Sequence, residues 1–158
     1  MRSERGRTDT ASIVVAAQAD AVYAAFATAE ALIAWLPPGD MTARAVEYDF
    51  REGGRYRIEL SYPEDTPDGV AKTTERTDVS SGRFLDLEPG KRIVQSVEFE
   101  TADASFAGVM TMTWSFEAAE AGTLVRVTAE NVPPGISKAD HDAGLRSSLE
   151  NLARFVLA

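Results

Sequence analysis

The sequence predicts an α+β fold, in which a curved antiparallel sheet of about six to seven strands wraps around a long C-terminal helix. Segments in which apolar and polar residues alternate recur between residues 43 and 132, which is typical of half-buried strands. The connections between these segments are too short for a crossover helix, so successive strands should pair antiparallel. The last segment, 138–158, instead carries its apolar residues at helical spacing.

The chain before the sheet predicts one strand followed by two short helices. Residues 10–18, TASIVVAAQ, are rich in β-branched side chains and indicate the first strand. In 19–40, alanines and large apolar residues recur at helical spacing, and Asp20 and Thr28 are suitable N-cap residues. The Pro37-Pro38 pair should end the second helix.

The stretch DFREGGRYRIEL, residues 49–60, predicts a tight reversal into a strand. Gly53 and Gly54 supply the turn, and the strand that follows should direct Tyr56, Ile58, Leu60 and Tyr62 to the concave face. The polar segment 63–76 is expected to be an exposed loop. The strands of the meander are expected at 43–51, 55–62, 77–87, 92–100, 107–117 and 123–132.

The C-terminal helix has one inward face. Ser137 and Asp140 resemble a capping box at its start. At 100° per residue, the inward side chains are His141, Leu145, Leu149, Leu152 and Val156. Gly144 lies within the helix, where a glycine costs about 1 kcal/mol relative to alanine, and we interpret it as permitting close packing.

A straight helix that crosses a curved sheet either packs against large side chains or leaves a pocket beneath it. An empty apolar void of roughly 300 Å³ would cost on the order of 7 kcal/mol. Since a whole domain is stabilised by only about 5–15 kcal/mol, such a pocket would have to hold water or a ligand, or be maintained by selection.

The composition narrows the class of protein. The chain has 158 residues, which suits one domain over 10–158 preceded by a flexible tail over 1–9. The formal net charge of −9 argues against nucleic acid and anionic membranes as partners. The absence of cysteine excludes disulfides and thiolate metal sites, and together with the lack of a long apolar stretch it predicts a cytoplasmic protein.

A few residues are candidates for chemistry. His141 is the only histidine, and it is either a polar ligand contact or proton shuttle, or a hydrogen-bonded helix residue. Gln95 shares a strand face with apolar residues, so its amide either orients a ligand or makes a structural hydrogen bond. Four large residues could line a cavity or pack in the core: Trp35, Trp114, Met110 and Met112. No spacing predicts a metal or cofactor site.

Several stretches, in this order, resemble one known family. They are ATAEALIAWLPP, YDFREGGRYRIEL, GRFLDLEPGKRIVQSVEF, GTLVRVTAENV and HDAGLRSSLENLARFV. They resemble the START-like (SRPBCC, Bet v 1-like) superfamily of helix-grip folds, and within it the bacterial activator of Hsp90 ATPase homologue 1-like family, over residues 10–157. The chain departs from the family pattern where Leu36 follows Trp35, and where Gly144-Leu145 replaces a frequent Gly-Trp.

The resemblance implies that a small hydrophobic or aromatic molecule binds between the sheet and the C-terminal helix. The expected ligand contacts are Trp35, Tyr56, Ile58, Gln95, Met112, Trp114, His141, Leu145 and Leu149, with no catalytic residue, metal or cofactor. Two alternatives remain open: a polyketide cyclase or dehydratase-like enzyme with His141 as acid or base, and a protein-interaction role with Hsp90 or in the stress response. A homodimer is also left open.

Overall fold

A single antiparallel sheet of seven strands carries three helices in the computed structural model, which describes residues 6–66, 71–74 and 76–157. The strands are β1 (Arg7–Val15), β2 (Thr42–Tyr48), β3 (Arg55–Ser61), β4 (Thr77–Glu88), β5 (Arg92–Phe99), β6 (Val109–Ala119) and β7 (Gly122–Val132). The three α-helices are α1 (Ala19–Ala24), α2 (Ala29–Trp35) and α3 (Lys138–Leu157), and a short 3₁₀ helix spans Ala104–Phe106.

The predicted α+β arrangement is confirmed. The strand order in the sheet is β1-β7-β6-β5-β4-β3-β2, so β2 to β7 form an antiparallel meander and β1 pairs with β7 at one edge. The two short helices follow β1, and the long helix α3 ends the fold.

Strand β1 begins at Arg7, three residues before the predicted boundary at residue 10. Arg7 and Asp9, which were expected to lie in the N-terminal tail, therefore pair with β7, and Asp9 is fully buried. The rest of the predicted tail, residues 1–5, lies outside the described residues.

Of the two caps predicted for the short helices, one is confirmed. The Thr28 hydroxyl accepts a hydrogen bond from the Ala31 N–H at 3.2 Å and so caps α2. Helix α1 instead begins after Gln18, and Asp20 lies within its first turn, so the prediction of Asp20 as an N-cap was wrong.

The Gly53-Gly54 turn fixes the start of β3 against β4. Gly53 has φ +82°, and a Cβ on Gly54 would come within 2.0 Å of the Asp49 carbonyl oxygen, so both positions require glycine. The Gly53 N–H donates to the Phe84 carbonyl at 2.7 Å, and the Phe84 N–H donates to the Gly54 carbonyl at 2.9 Å. These bonds set the register that directs Tyr56 and Ile58 inward.

Helix α3 is not equally close to all strands. Its backbone comes nearest to β1 and to α2, on one side of the sheet. The core there is filled by fully buried side chains: Val15, Val22, Trp35, Val125, Val127, Leu149 and Leu152. No helix in the described parts of the chain is both long and apolar enough to cross a membrane.

Candidate functional site

A cavity of about 720 Å³ lies between the first half of α3 and the concave face of the sheet. This volume falls within the range of about 300–1,000 Å³ that is usual for small-molecule sites. The sheet side of the wall is largely apolar and includes Ile58, Leu60, Phe84, Val97, Met110 and Met112.

The helix side of the wall is a stripe on the first three turns of α3. It consists of Asp140, His141, Gly144, Leu145 and Ser148. A Cβ on Gly144 would meet no atom within 4 Å, so our interpretation of this glycine as a close-packing position was wrong. The missing side chain at Gly144 instead adds to the open space beneath the helix.

The second half of α3 is held directly against the chain that follows α2. The Ser148 hydroxyl donates to the Leu36 carbonyl at 2.6 Å, and the Asn151 amide donates to the Pro37 carbonyl at 3.0 Å. The Gly39 N–H donates to the Ser147 hydroxyl at 3.0 Å. These contacts leave no gap under this part of the helix, so the cavity ends near Ser148.

Two aromatic side chains of the sheet line the cavity, and each donates a hydrogen bond to a residue of β5. The Trp114 indole N–H donates to the Gln95 side-chain oxygen at 2.9 Å. The Tyr56 hydroxyl donates to the Ser96 carbonyl at 2.5 Å. Burial raises the pKa of Tyr56, while a hydrogen bond from Gln95 acts in the opposite direction, so Tyr56 stays a neutral phenol. The Gln95 side chain thus makes a structural hydrogen bond with Trp114 and also lines the cavity.

The structure brings together seven of the nine predicted site residues on the cavity wall. They are Tyr56, Ile58, Gln95, Met112, Trp114, His141 and Leu145. The other two, Trp35 and Leu149, are fully buried and do not line the cavity.

The positions of these two residues have a clear physical reason. The Trp35 indole N–H donates to the Ala25 carbonyl at 3.0 Å, and its ring packs edge-on against Phe26 and Trp114, which stand between it and the cavity. Leu149 lies in the half of α3 that packs directly on neighbouring elements. Both side chains therefore pack in the core behind the residues that line the cavity.

One polar cluster at the cavity wall was not predicted, because its central residue, Lys72, lies in the segment expected to be an exposed loop. Lys72 is only 15% exposed, and its ammonium group lies 2.9 Å from the Asp78 carboxylate. The Tyr62 hydroxyl donates to the same carboxylate at 2.7 Å. The Lys72 ammonium also lies over the rings of Phe99 and Phe106, at 5.1 and 5.6 Å from their centres.

A second polar cluster joins the N-terminal strand to α3. The Asp9 carboxylate accepts two hydrogen bonds from the Arg7 guanidinium, both at 2.8 Å, and lies 2.7 Å from Nδ1 of His141. The sequence does carry a signal for Asp9, since it shares the inward face of β1 with Ala11, Ile13 and Val15. The predicted strand started at residue 10 and therefore did not include Asp9.

The mouth of the cavity lies where two loops meet near the start of α3. The Gly135 N–H donates to the Ser105 carbonyl at 2.6 Å, and a Cβ on Gly135 would come within 2.9 Å of the Phe106 ring. Gly135, Ser137 and Asp140 line the cavity and are exposed to solvent. A molecule could enter on this side.

The energetic cost of this space bears on its use. At about 24 cal/mol per Å³, an empty apolar void of this volume would cost about 17 kcal/mol. That exceeds the stability of most domains, about 5–15 kcal/mol, so water or a ligand must occupy the space. Within the described ranges, no group of three or more carboxylate or imidazole side chains is placed to hold a metal ion.

Comparison with known proteins links this architecture to one family. The sequence model described as "Activator of Hsp90 ATPase homolog 1-like protein" matches residues 16–156. Among curated proteins, none matches the chain.

Solved structures share the fold over nearly the whole chain. A protein from Chromobacterium violaceum is 29% identical, with a TM-score of 0.83, over 96% of this chain and 97% of that protein. A protein from Rhodobacter sphaeroides is 19% identical, with a TM-score of 0.75, over 96% and 94% of the two chains. An activator of Hsp90 ATPase homolog 1-like protein from Aeromonas hydrophila is 17% identical, with a TM-score of 0.70, over 96% and 92%.

Proposed function

Because this chain belongs to the activator of Hsp90 ATPase homolog 1-like family, we propose that its cavity binds a small, uncharged hydrophobic or aromatic molecule. The observation that carries the proposal is a cavity of about 720 Å³ with mostly apolar and aromatic walls. Sites of this kind bury the body of a ligand against apolar walls and orient it through a few polar groups.

The charges around the cavity favour an uncharged ligand. Lys72 is the one cationic side chain on the described wall, and it is already paired with Asp78. Asp140 adds a further carboxylate at the mouth. An anionic ligand would therefore meet a carboxylate at the entrance and apolar walls inside, and burying its charge there would be costly.

The polar groups on the wall suggest how such a ligand is oriented. The Gln95 side-chain amide lies among aromatic rings, where it can hydrogen-bond to a carbonyl, hydroxyl or amine of the ligand. Trp114 and Tyr56 line the same cavity and supply aromatic surface for an aromatic ligand.

The test is a titration with N-phenyl-1-naphthylamine, an uncharged aromatic dye whose fluorescence rises in apolar surroundings. We expect saturable binding to the wild-type protein and weaker binding of the anionic dye 8-anilinonaphthalene-1-sulfonate. Native mass spectrometry of freshly purified protein would identify any small molecule that copurifies.

A matched pair of variants on α3 locates the binding. Gly144→Leu places a side chain in the open space of the cavity, so the dissociation constant of the dye should rise by about tenfold or more. Replacing a glycine within a helix by leucine also stabilises the helix by up to about 1 kcal/mol. We therefore expect Gly144→Leu to weaken dye binding without lowering the stability of the protein. The control is Ala143→Leu, at an exposed position that does not line the cavity. Equal affinities in the two variants would contradict the proposal.

The other roles implied by the resemblance stay predictions. A partnership with Hsp90 or in the stress response would require a protein-binding surface rather than this cavity. A homodimer and a cytoplasmic location, the latter favoured by the absence of cysteine, are likewise untested.

A further inference from the structure

His141 is held in a fixed orientation at the cavity wall. Its Nδ1 lies 2.7 Å from the Asp9 carboxylate, which is fully buried and does not line the cavity. The imidazole itself does line the cavity and is 14% exposed. The edge of the ring that carries Nδ1 therefore faces away from the cavity.

The surroundings of Asp9 fix the tautomer of this imidazole when it is neutral. Arg7 donates two hydrogen bonds to the Asp9 carboxylate, and Lys138 lies 3.7 Å from it while also pairing with Asp142 at 3.1 Å. The hydrogen bonds from Arg7 and His141 lower the pKa of Asp9 to about 2 despite its burial, so the carboxylate is an anion near neutral pH. An anionic carboxylate only accepts hydrogen bonds, so His141 must donate from Nδ1.

The second ring nitrogen is left with a lone pair. The two nitrogens of an imidazole point in diverging directions, so Nε2 of His141 points away from Asp9, on a ring that lines the cavity. No described residue forms a hydrogen bond with it. When a carboxylate accepts a hydrogen bond from Nδ1 of a histidine, the ring is held in one orientation and Nε2 is left free to accept a proton. This arrangement allows the imidazole to act as a base.

We propose that Asp9 and His141 form a general-base dyad, which makes the cavity a catalytic site for uncharged aromatic molecules that carry an acidic C–H bond. His141 is the catalytic residue and Asp9 is the positioning residue. The proposal rests on the proposed function, since the substrate must enter the same cavity.

The other carboxylates on the wall are less suited to this role. Asp78 already accepts hydrogen bonds from the Lys72 ammonium, the Lys72 backbone N–H and the Tyr62 hydroxyl. Asp140 is exposed to water at the mouth, where solvation weakens a carboxylate base. His141 is the base that combines a fixed orientation with partial burial.

The chemistry can be tested with 5-nitrobenzisoxazole, an uncharged aromatic probe for general bases in apolar sites. Nε2 removes the proton from C3, and the electron pair of that C–H bond forms the nitrile. The N–O bond breaks, and its electron pair stays on the phenolate oxygen of the product, which absorbs visible light. The imidazolium then returns its proton to water, so no oxidant or reductant is needed.

The kinetics of three variants separate catalysis from binding. We expect saturable turnover by the wild-type protein, and a loss of roughly 10²-fold in kcat for His141→Gln with little change in KM. Asp9→Asn should lower kcat by about tenfold, again with little change in KM, because the base remains but is no longer held by an anion. The control is Asp20→Asn on the exposed surface of α1, which should behave as the wild type.

A spectroscopic measurement on the wild-type protein tests the dyad even if the variants fold poorly. Long-range ¹H–¹⁵N correlation NMR of the wild-type protein, at a pH where His141 is neutral, should show the proton on Nδ1. A proton on Nε2 would overturn the proposal, because that nitrogen would then be a donor.

The outcomes also distinguish this proposal from the proposed function. If N-phenyl-1-naphthylamine binds but turnover is the same in His141→Gln, the dyad is wrong and the binding role stands. If Asp140→Asn loses the turnover and His141→Gln keeps it, the base is Asp140 and the dyad is again wrong. If neither the dye nor the probe binds to the wild-type protein, both proposals fail together.

Discussion

Nδ1 of His141, in the first turn of α3, lies 2.7 Å from the carboxylate of Asp9, 132 positions earlier in the chain. This contact fastens the edge strand β1 to the long helix beside the mouth of the cavity. It also determines which nitrogen of the only histidine can face a bound molecule. One hydrogen-bonded contact thus serves the fold and the candidate site together.

The first prediction concerns acid stability. The folded-state pKa of Asp9 is lowered from 3.8 to about 2, chiefly by the hydrogen bonds from Arg7. The stabilisation it supplies is therefore fully present above pH 4 and is lost as the pH falls toward 2. Asp9→Asn should lower the free energy of unfolding by up to about 2 kcal/mol at neutral pH, and the difference from the wild type should shrink below pH 4.

Urea denaturation at a series of pH values measures this difference. Asp40→Asn, at an exposed position, is the control and should follow the wild type throughout. A difference between Asp9→Asn and the wild type that stays constant down to pH 2.5 would show that the Asp9 carboxylate is not stabilised by its partners.

The second prediction distinguishes the two tryptophans. Trp114 lines the cavity, whereas Trp35 lies behind Phe26 and donates its indole N–H to Ala25. In ¹H–¹⁵N spectra, adding N-phenyl-1-naphthylamine should therefore shift the indole resonance of Trp114 far more than that of Trp35. The variants Trp35→Phe and Trp114→Phe assign the two signals. A larger shift at Trp35 would mean that the dye binds elsewhere.

The third prediction uses two leucines on the same helix. Leu145→Trp introduces the aromatic residue frequent in the family, and its ring can extend into the cavity, so it should weaken dye binding with little loss of stability. Leu149→Trp enlarges a side chain that is fully packed, which should cost about 1–3 kcal/mol. Thermal unfolding and dye titration of both variants test the contrast, and equal stabilities would contradict the assigned boundary of the cavity.

The fourth prediction concerns the turn before β3. Gly54→Ala would place a Cβ within 2.0 Å of the Asp49 carbonyl oxygen, which is backbone and cannot move aside freely. We expect it to cost about 3 kcal/mol. Gly53→Ala meets no atom within 4 Å and only has to adopt φ +82°, which costs about 1–2 kcal/mol. Chemical denaturation should show a larger loss of unfolding free energy for Gly54→Ala than for Gly53→Ala. The reverse order would contradict the close contact between Gly54 and the Asp49 carbonyl oxygen.

The sequence by itself determined the strands, the helices and their antiparallel order, because each depends on local patterns. Alternation fixed the inward face that carries Tyr56 and Ile58, and helical spacing fixed the one that carries His141 and Leu145. Those four side chains meet on one cavity wall because the sheet curves and the helix does not.

Only the tertiary structure decided how the space beneath α3 is divided. Leu149 lies on the same helical face as Leu145 by sequence spacing. It is nevertheless fully buried, because the chain after α2 packs directly against that half of the helix. The pairing of Asp9 with His141 and the position of the Lys72 ammonium over Phe99 and Phe106 are likewise contacts between separate segments, which no local pattern encodes. Periodicity tells which way a side chain points, and long-range packing decides whether it meets another side chain or open space.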